Sequence, residues 1–335
     1  MQIHNDFPLS EVLWYKIGGK AKYLLEAFTR EDVSRTLDFI EKNNIRKVFV
    51  VGLGSNIIFS DGYFDGAVIR IVSRSEILLR RTNSTEQTSR TDISIKKDGV
   101  VTLFAGDTVG TVIEYLMSHN IIGLEWAGGL PGTVGGGIRG NAGAFGGDMA
   151  ERLVSAEIVE IHEKSFSTKV LTKEQMHFAY RNSVVKQNKK LVVLGATYQL
   201  VHANTKSLEG AKETYYDNIA YRNEKHPLDF PSCGSVFKNI RDKEQVEEVL
   251  SLWPDIKDDI EKKWYGKVSM GYLIKRLGFS GKKIGNAQVA EKHCNYILNL
   301  GGAKAKDVIS LITEIQQKTH ETFGFTPEVE VEIVS

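Results

Sequence analysis

The sequence predicts an α+β protein, and three observations carry that prediction. Apolar residues recur at helical spacing in some segments, as in Val308, Leu311, Ile312 and Ile315, and run together in others, as in Val48-Phe49-Val50-Val51. The two kinds of segment do not alternate in the strand–helix–strand cadence of a doubly wound parallel sheet. Between them lies Gly128 to Gly147, where ten of twenty residues are glycine, a density that excludes the interior of a helix or a strand.

Taken in order, Thr29 is placed to cap a helix with Glu31 and Asp32 in its first turn and Val33, Leu37 and Ile40 on its inner face. A turn at Asn43-Asn44 leads into the apolar run from Val48 to Val51, a strand that empties into Gly52-Leu53-Gly54-Ser55-Asn56. Ala67 to Leu79 and Val100 to Ala105 read as strands, with the polar tract from Thr82 to Asp98 as an exposed loop or hairpin tip. Asp107 is placed to cap a helix through Val109, Val112, Ile113 and Leu116. Leu153 to Ile161 and Leu191 to Leu200 read as strands, and Ser207 to His226 as a helical link. Helical patterns follow near Lys243 to Leu252, Met270 to Leu277 and around Val308, the last with Asp307 near its start. Pro327 to Ile333 alternates apolar and acidic residues, the pattern of a closing strand.

Composition narrows the function classes. A net charge of +1 over 335 residues gives no broad field for nucleic acid or an anionic membrane, and the basic cluster from Lys186 to Lys190 reads as a solvated turn. No run of about 18 apolar residues occurs, and the first residues lack the basic and apolar regions of a secretory leader. The two cysteines, Cys233 and Cys294, suit a reducing cytosol. With eight scattered histidines and no CxxC or HExxH, no protein-bound metal is expected.

Two glycine-rich loops offer the chemistry. Gly52-x-Gly54-Ser55-Asn56 follows a strand, where small residues let backbone N–H groups approach a pyrophosphate. Ile57 stands where the Rossmann fingerprint has its third glycine, and no G-x-x-x-x-G-K-[ST] occurs. Alone, this loop also reads as an ordinary turn. The second loop, Leu130-Pro131-Gly132-Thr133-Val134-Gly135-Gly136-Gly137 continued by Asn141-Ala142-Gly143-Ala144-Phe145-Gly146, concentrates glycine at a cost of roughly 0.5–1 kcal/mol per position in a regular element. Close approach to a large flat ligand accounts for that concentration, and two separated loops suit a dinucleotide.

These loops, with the motifs around them, resemble the UDP-N-acetylenolpyruvoylglucosamine reductase family over nearly the whole chain. Tyr15-Lys16-Ile17-Gly18-Gly19 opens the resemblance. Phe178-Ala179-Tyr180-Arg181-Asn182-Ser183 is similar to the family's FGYR-x-S segment, and Arg222-Asn223-Glu224-Lys225-His226-Pro227 to its R-x-x-K-x-P turn. Pro231-Ser232-Cys233-Gly234-Ser235-Val236-Phe237-Lys238-Asn239 resembles the signature around its active serine. Gly285-Asn286-Ala287-Gln288-Val289, Lys292-His293-Cys294-Asn295-Tyr296-Ile297 and Pro327-Glu328-Val329 follow in the family's order.

The resemblance implies an FAD-binding cradle of the vanillyl-alcohol-oxidase type, made of two α+β subdomains (1–70 and 71–205), and a C-terminal α+β substrate-binding domain (206–335). The short span between Arg181 and Lys225 is similar to the subgroup lacking an extra tyrosine loop. The implied reaction is NADPH-dependent reduction of an enolpyruvyl sugar nucleotide through FAD in the cytoplasm. A monomer acting on a small UDP-sugar, without nucleic acid, membrane or metal, is expected.

By the same resemblance Ser235 is the proton donor, Arg181 polarises the substrate carboxylate, and Glu328 is the acid that works with Arg181. Gly52, Gly54, Ser55, Asn56, Pro131, Gly132, Thr133, Asn141, Gly143, Ala144, Tyr180 and Arg222 would hold the flavin, and Lys225, Lys238 and Asn239 the substrate. Lys225 and Lys238 would also make the Ser235 proton available, since an alcohol is a poor acid in water. Cys233 is read as packing. Glu328, Glu330 and Glu332 share one strand face and could also simply face water. His293 and Asn295 read equally as pocket residues or as buried polar support. Phe145 departs from the tyrosine common at its position in the family. The rival readings are a flavin oxidase of sugars or alcohols on the same cradle, and a non-catalytic flavin-binding protein.

Overall fold

The structure is a computed structural model that describes residues 1–74, 93–162 and 165–335. Most of the expected loop from Thr82 to Asp98, and positions 75–79 of the expected strand before it, lie outside the described residues. The chain divides into two units: residues 1–7, 21–53 and 64–224 form one, and residues 8–20, 54–63 and 225–335 the other.

The first unit holds two sheets. One has four strands in the order Gln2–Pro8, Lys20–Ala27, Phe64–Ile71, Val48–Val51, with Phe64–Ile71 parallel to the strands on either side of it. Phe64–Ile71 is the described form of the strand expected from Ala67, starting earlier and ending sooner. The other sheet is antiparallel, in the order Phe166–Thr172, Leu153–Ile161, Leu191–Gln199, Val100–Phe104, Ser94–Ile95. The helix Arg30–Lys42 forms as its sequence requires: Thr29 Oγ1 accepts from Asp32 N (3.1 Å), and Val33, Leu37 and Ile40 are buried. They share one apolar cluster with Leu25 and Ile69 of the first sheet and Val159, Val192 and Leu194 of the second.

Two expectations for this unit are corrected. Asp107 does not cap the helix Val109–Ser118; Thr108 occupies the cap position, and Asp107 turns its carboxylate back to accept from Phe104 N (3.3 Å). That bond closes the turn after the strand Val100–Phe104, a local alternative open to any aspartate near a turn. The glycine-dense stretch, expected to be free of regular structure, contains the helix Val134–Gly140 and a short ribbon of Gly143–Ala144 with Gly147–Asp148. Tertiary contact overrides glycine's low helix propensity here. A Cβ at Gly135 would stand 2.8 Å from the Ala105 side chain, so only glycine lets this helix settle against the strand end.

The second unit packs helices on a three-stranded meander of Lys283–Ile284, Ala287–Val289 and Ile297–Asn299. Val308, Leu311, Ile312 and Ile315 are all buried on the helix Ala305–Phe323, as their spacing predicts, together with Val249, Leu273, Ile274 and Val289. Asp307 Oδ2 accepts from Lys304 N (3.0 Å) at the helix start. Asp61 adds a second anchor there, its carboxylate accepting from Ala305 N (2.8 Å) and Lys306 N (3.0 Å). The closing strand is shorter than the alternation suggests: Glu332–Val334 pairs in parallel with Ile57–Phe59. Residues 328–330 are extended too, but their partner is the segment 236–238, so the ladder changes sides near Val331. Among the described residues, no helix is long and apolar enough to cross a membrane.

Asn299 is the polar pin of this unit. Buried at 3 % exposure, it accepts from Gly301 N and Ala303 N (both 3.0 Å) and donates to the carbonyls of Tyr15 (3.1 Å) and Lys16 (3.3 Å). Asn299→Ala leaves these groups without that partner and is expected to lower unfolding stability by about 1–3 kcal/mol in urea titrations.

Candidate active site

In the first unit the two glycine loops meet. A Cβ on Gly52 would overlap the Oγ1 of Thr133, so the strand end at Val51 reaches the second loop only because residue 52 has no side chain. Thr133 Oγ1 accepts from Gly136 N (3.3 Å) and caps the helix Val134–Gly140. The loop is stitched down by Val109 N to Gly132 O (3.1 Å), Val134 N to Asp107 O (2.9 Å) and Gly135 N to Ala105 O (2.9 Å). Pro131 stands exposed beside this stitch.

Asn141 takes a left-handed backbone (φ 41°), and its carboxamide donates to Asp148 Oδ2 (3.3 Å) and Ala179 O (3.2 Å) while accepting from Ala150 N (3.1 Å). Arg181, also left-handed (φ 55°), donates to Gly143 O (2.8 Å) and Asn141 O (3.4 Å), and its own carbonyl accepts from Lys186 Nζ (2.9 Å). The Tyr180 ring lies 5.3 Å from the Arg181 guanidinium. The segment 178–183 is thereby clasped onto the loop 141–144, and Ala144 is held in the ribbon opposite Gly147. Arg222, almost fully buried, donates through Nε to Gly128 O (3.0 Å) and lies 5.4 Å from the Phe145 ring, which meets Tyr221 edge-on at 5.5 Å.

Sequence reasoning missed three participants here. Trp126 fits so closely against Gly147 that a Cβ there would overlap the indole. Tyr221 lies beside a motif residue with nothing in its spacing to mark it, and Lys186, expected in a solvated turn, is half-buried and donates to the Arg181 carbonyl. Phe145 appeared only as a departure from a pattern, yet its ring is the aromatic partner of Arg222.

The residues fit a flavin dinucleotide on two counts. Gly140 has a helical backbone, and a Cβ there would meet nothing within 4 Å, so the protein's own packing does not call for glycine at that position. Trp126 Nε1 is buried and has no hydrogen-bond partner among the described residues.

In the second unit Ser235 is half-buried after Gly234. Val236 N donates to Asn295 O (2.8 Å), Glu330 N to Val236 O (2.7 Å) and Lys238 N to Glu328 O (2.9 Å), and Phe237 bridges Val329. Ser235 and Glu328 therefore flank one paired backbone. The Lys238 ammonium is ion-paired with the exposed Glu328 carboxylate. Asn239 Oδ1 accepts from Met270 N (3.1 Å). Lys225 ends the helix Thr205–Lys225 and is exposed. Gly54 sits against Leu13, Ser55 is half-buried, and Asn56 donates to Glu330 O (3.4 Å) while accepting from Glu332 N (3.1 Å). Arg181, Tyr180 and Arg222 belong to the first unit; Ser235, Glu328, Lys225, Lys238 and Asn239 belong to the second.

Burial pushes the Cys233 thiol up to about 12, which keeps it protonated and unreactive at neutral pH. Burial also lowers the His293 pKa, favouring the neutral ring, which lies 4.9 Å from Tyr296. The Tyr296 hydroxyl in turn shares a 2.8 Å hydrogen bond with His226 Nδ1.

Comparison with known proteins then decides the family. Residues 226–334 match the C-terminal domain model of UDP-N-acetylenolpyruvoylglucosamine reductase, and residues 21–163 match an FAD-binding domain model. The UDP-N-acetylenolpyruvoylglucosamine reductase of Lactobacillus helveticus is 32% identical over 334 residues, covering 100% of this chain and 95% of the relative. The chain belongs to the UDP-N-acetylenolpyruvoylglucosamine reductase family. A Clostridium perfringens reductase of the family is 32% identical over 329 residues, 98% of this chain and 92% of that one. The solved structure of the Thermus caldophilus reductase shares the fold, with a TM-score of 0.70 at 24% identity and coverage of 100% of this chain and 98% of that one. The α+β fold and the FAD-binding assignment expected from the sequence both stand.

Gly52→Ala is expected to weaken flavin retention by about 1–3 kcal/mol through overpacking, read from the fluorescence of released flavin on dilution. Thr133→Ala in the same chain should recover part of that loss. Cys233 should resist iodoacetamide at pH 8 in the native protein and react only in denaturant. A raised folded-state value means that this thiol's contribution to stability is whole below its ordinary value of 9.0 and drains away as pH climbs towards about 12. Cys233→Ala should therefore flatten the alkaline limb of the stability profile.

Proposed function

We propose that this chain reduces the enolpyruvyl double bond of UDP-N-acetylenolpyruvoylglucosamine, with NADPH and through bound FAD, to give UDP-N-acetylmuramate for peptidoglycan synthesis. It does so as a cytoplasmic monomer, with residues 1–70 and 71–205, joined by Arg222, serving the flavin and the rest of 206–335 the substrate. The observation that carries the reading is the likeness of residues 226–334 to the C-terminal domain of the reductase family, and the antiparallel pairing of 236–238 with 328–330 keeps the segments of Ser235 and Glu328 side by side within it.

FAD, when bound, supplies to the double bond a hydride taken from NADPH. Gly52, Gly54, Ser55, Asn56, Pro131, Gly132, Thr133, Asn141, Gly143, Ala144, Tyr180 and Arg222 hold that group. The planar fork of Arg181 takes the substrate carboxylate and stabilises the charge that grows there as the bond is reduced. Glu328 works with it to stabilise the enol form of the substrate. Ser235 gives its hydroxyl proton to the carbon that bears the carboxylate and regains one from solvent. Lys225, Lys238 and Asn239 bind the phosphates or the carboxylate of the substrate, and the two lysines ease loss of the Ser235 proton by offsetting the charge left behind.

Anaerobic mixing separates the two halves of this reaction. Ser235→Ala should leave flavin bleaching by NADPH at the wild-type rate and abolish the return of colour on adding the enolpyruvyl sugar. Full turnover in that variant would refute the assignment of Ser235.

A further inference from the structure

The chain immediately after Ser235 is pinned from both edges, and one edge is a single side chain. Asn295 is 3 % exposed. Its Oδ1 accepts from Phe237 N (2.9 Å) and its Nδ2 donates to Phe237 O (2.9 Å), so one carboxamide answers both backbone groups of one residue. Its main-chain carbonyl takes Val236 N (2.8 Å). On the opposite edge Glu330 N meets Val236 O (2.7 Å) and Glu328 O takes Lys238 N (2.9 Å). The donors and acceptors of Val236 and Phe237, with the Lys238 donor, are thus all engaged.

A carboxamide has the same donor and acceptor as a peptide group, so Asn295 stands in for a strand neighbour where the chain has not yet entered the strand Ile297–Asn299. This arrangement fixes three rows side by side: residue 295, residues 236–238, and residues 328–330. A slip by one residue in the middle row would turn every side chain on it to the other face. Two groups of the proposed mechanism, Ser235 and Glu328, depend on that row.

We infer that Asn295 is a positioning residue for the proton donor: its carboxamide locks the register of Val236-Phe237-Lys238 and thereby sets where the Ser235 hydroxyl stands relative to Glu328. The inference rests on the reading of Ser235 and Glu328 proposed above. Asn299 provides the contrast. It is equally buried and its carboxamide makes four bonds to Asn295's two, but it clasps residues 15–16 and 301–303 rather than the strand after Ser235.

The test uses flavin-loaded enzyme in anaerobic stopped flow, with Asn295→Asp, Asn295→Ala, Asn299→Ala and Ser235→Ala in parallel. Asn295→Asp is the deciding variant: it keeps the shape and the bond from Phe237 N, but sets an oxygen against Phe237 O. Flavin reduction by NADPH should stay within about twofold of wild type, while reoxidation by the enolpyruvyl sugar should slow by about 10²-fold, the scale of a misplacement near 1 Å. Asn299→Ala should lower the melting temperature and leave the ratio of the two rates unchanged. The inference is overturned if Asn295→Asp keeps the wild-type ratio. It is equally overturned if both rates fall together, as for a general loss of folding, or if neither Asn295 variant accumulates with flavin, which would assign the residue to folding alone. Normal reoxidation in Ser235→Ala would sink the proposed reading and this inference with it; a blocked Ser235→Ala beside an unaffected Asn295→Asp would sink the inference alone.

Discussion

The contact between the Gly52 backbone and the Thr133 side chain is the constraint on which the flavin half depends. It joins the end of a parallel strand to the start of a glycine-rich helix, two points far apart in sequence, at a separation that any larger residue would widen. Everything beyond it is stitched outward: Thr133 caps the helix, Asn141 closes that helix with a left-handed turn, and Arg181 ties the next loop to Asn141 and Gly143. Three non-glycine residues of this region, Asn141, Phe145 and Arg181, hold positive φ values of 41°, 50° and 55°. Such conformations cost of order 1–2 kcal/mol each and persist where surrounding bonds over-determine them, a condition met at Asn141 and Arg181. The stability given up in these turns is recovered in the rigidity of the loops.

The second unit solves a different problem. It limits the backbone freedom next to Ser235 by saturating the strand that follows it with hydrogen bonds. The ion pair of Lys238 with Glu328 joins the same two rows through their side chains. Because Glu328 is exposed, that pair adds little to folding and serves mainly to orient both groups.

Much of this was legible in the sequence where a short stretch contains its own instructions. The helix Arg30–Lys42 declares itself through Thr29 and its apolar spacing, and Ala305–Phe323 through Val308, Leu311, Ile312 and Ile315. The reading failed where distant partners decide. Glycine density argued against a helix at Val134–Gly140 because the approach to Ala105 cannot be seen from residue types. Asp107 offered two local bonding options, and the turn took the one the helix start did not. The alternation from Pro327 onward is real, but its first half pairs with residues 236–238 and its second with Ile57–Phe59, so one pattern concealed two neighbours. Motif order singled out Ser235, Arg181 and Glu328, yet left Asn295 ambiguous, since its side-chain bonds run to a residue 58 positions away.

The anchoring of the helix Ala305–Phe323 by Asp61, and of the strand Glu332–Val334 by Ile57–Phe59, has a consequence for how the protein is made. Both belong to a unit assembled from an early segment and the distal third of the chain. During vectorial synthesis that early segment must wait on the ribosome for partners translated more than two hundred residues later, whereas the other unit has all its pieces once residue 224 has emerged. Contacts so distant in sequence slow nucleation, because loop closure precedes any reward from burial. The unit that holds Ser235 is thus the last to mature, while the unit that holds Gly52, Thr133 and Arg222 can close as soon as its own pieces have left the ribosome.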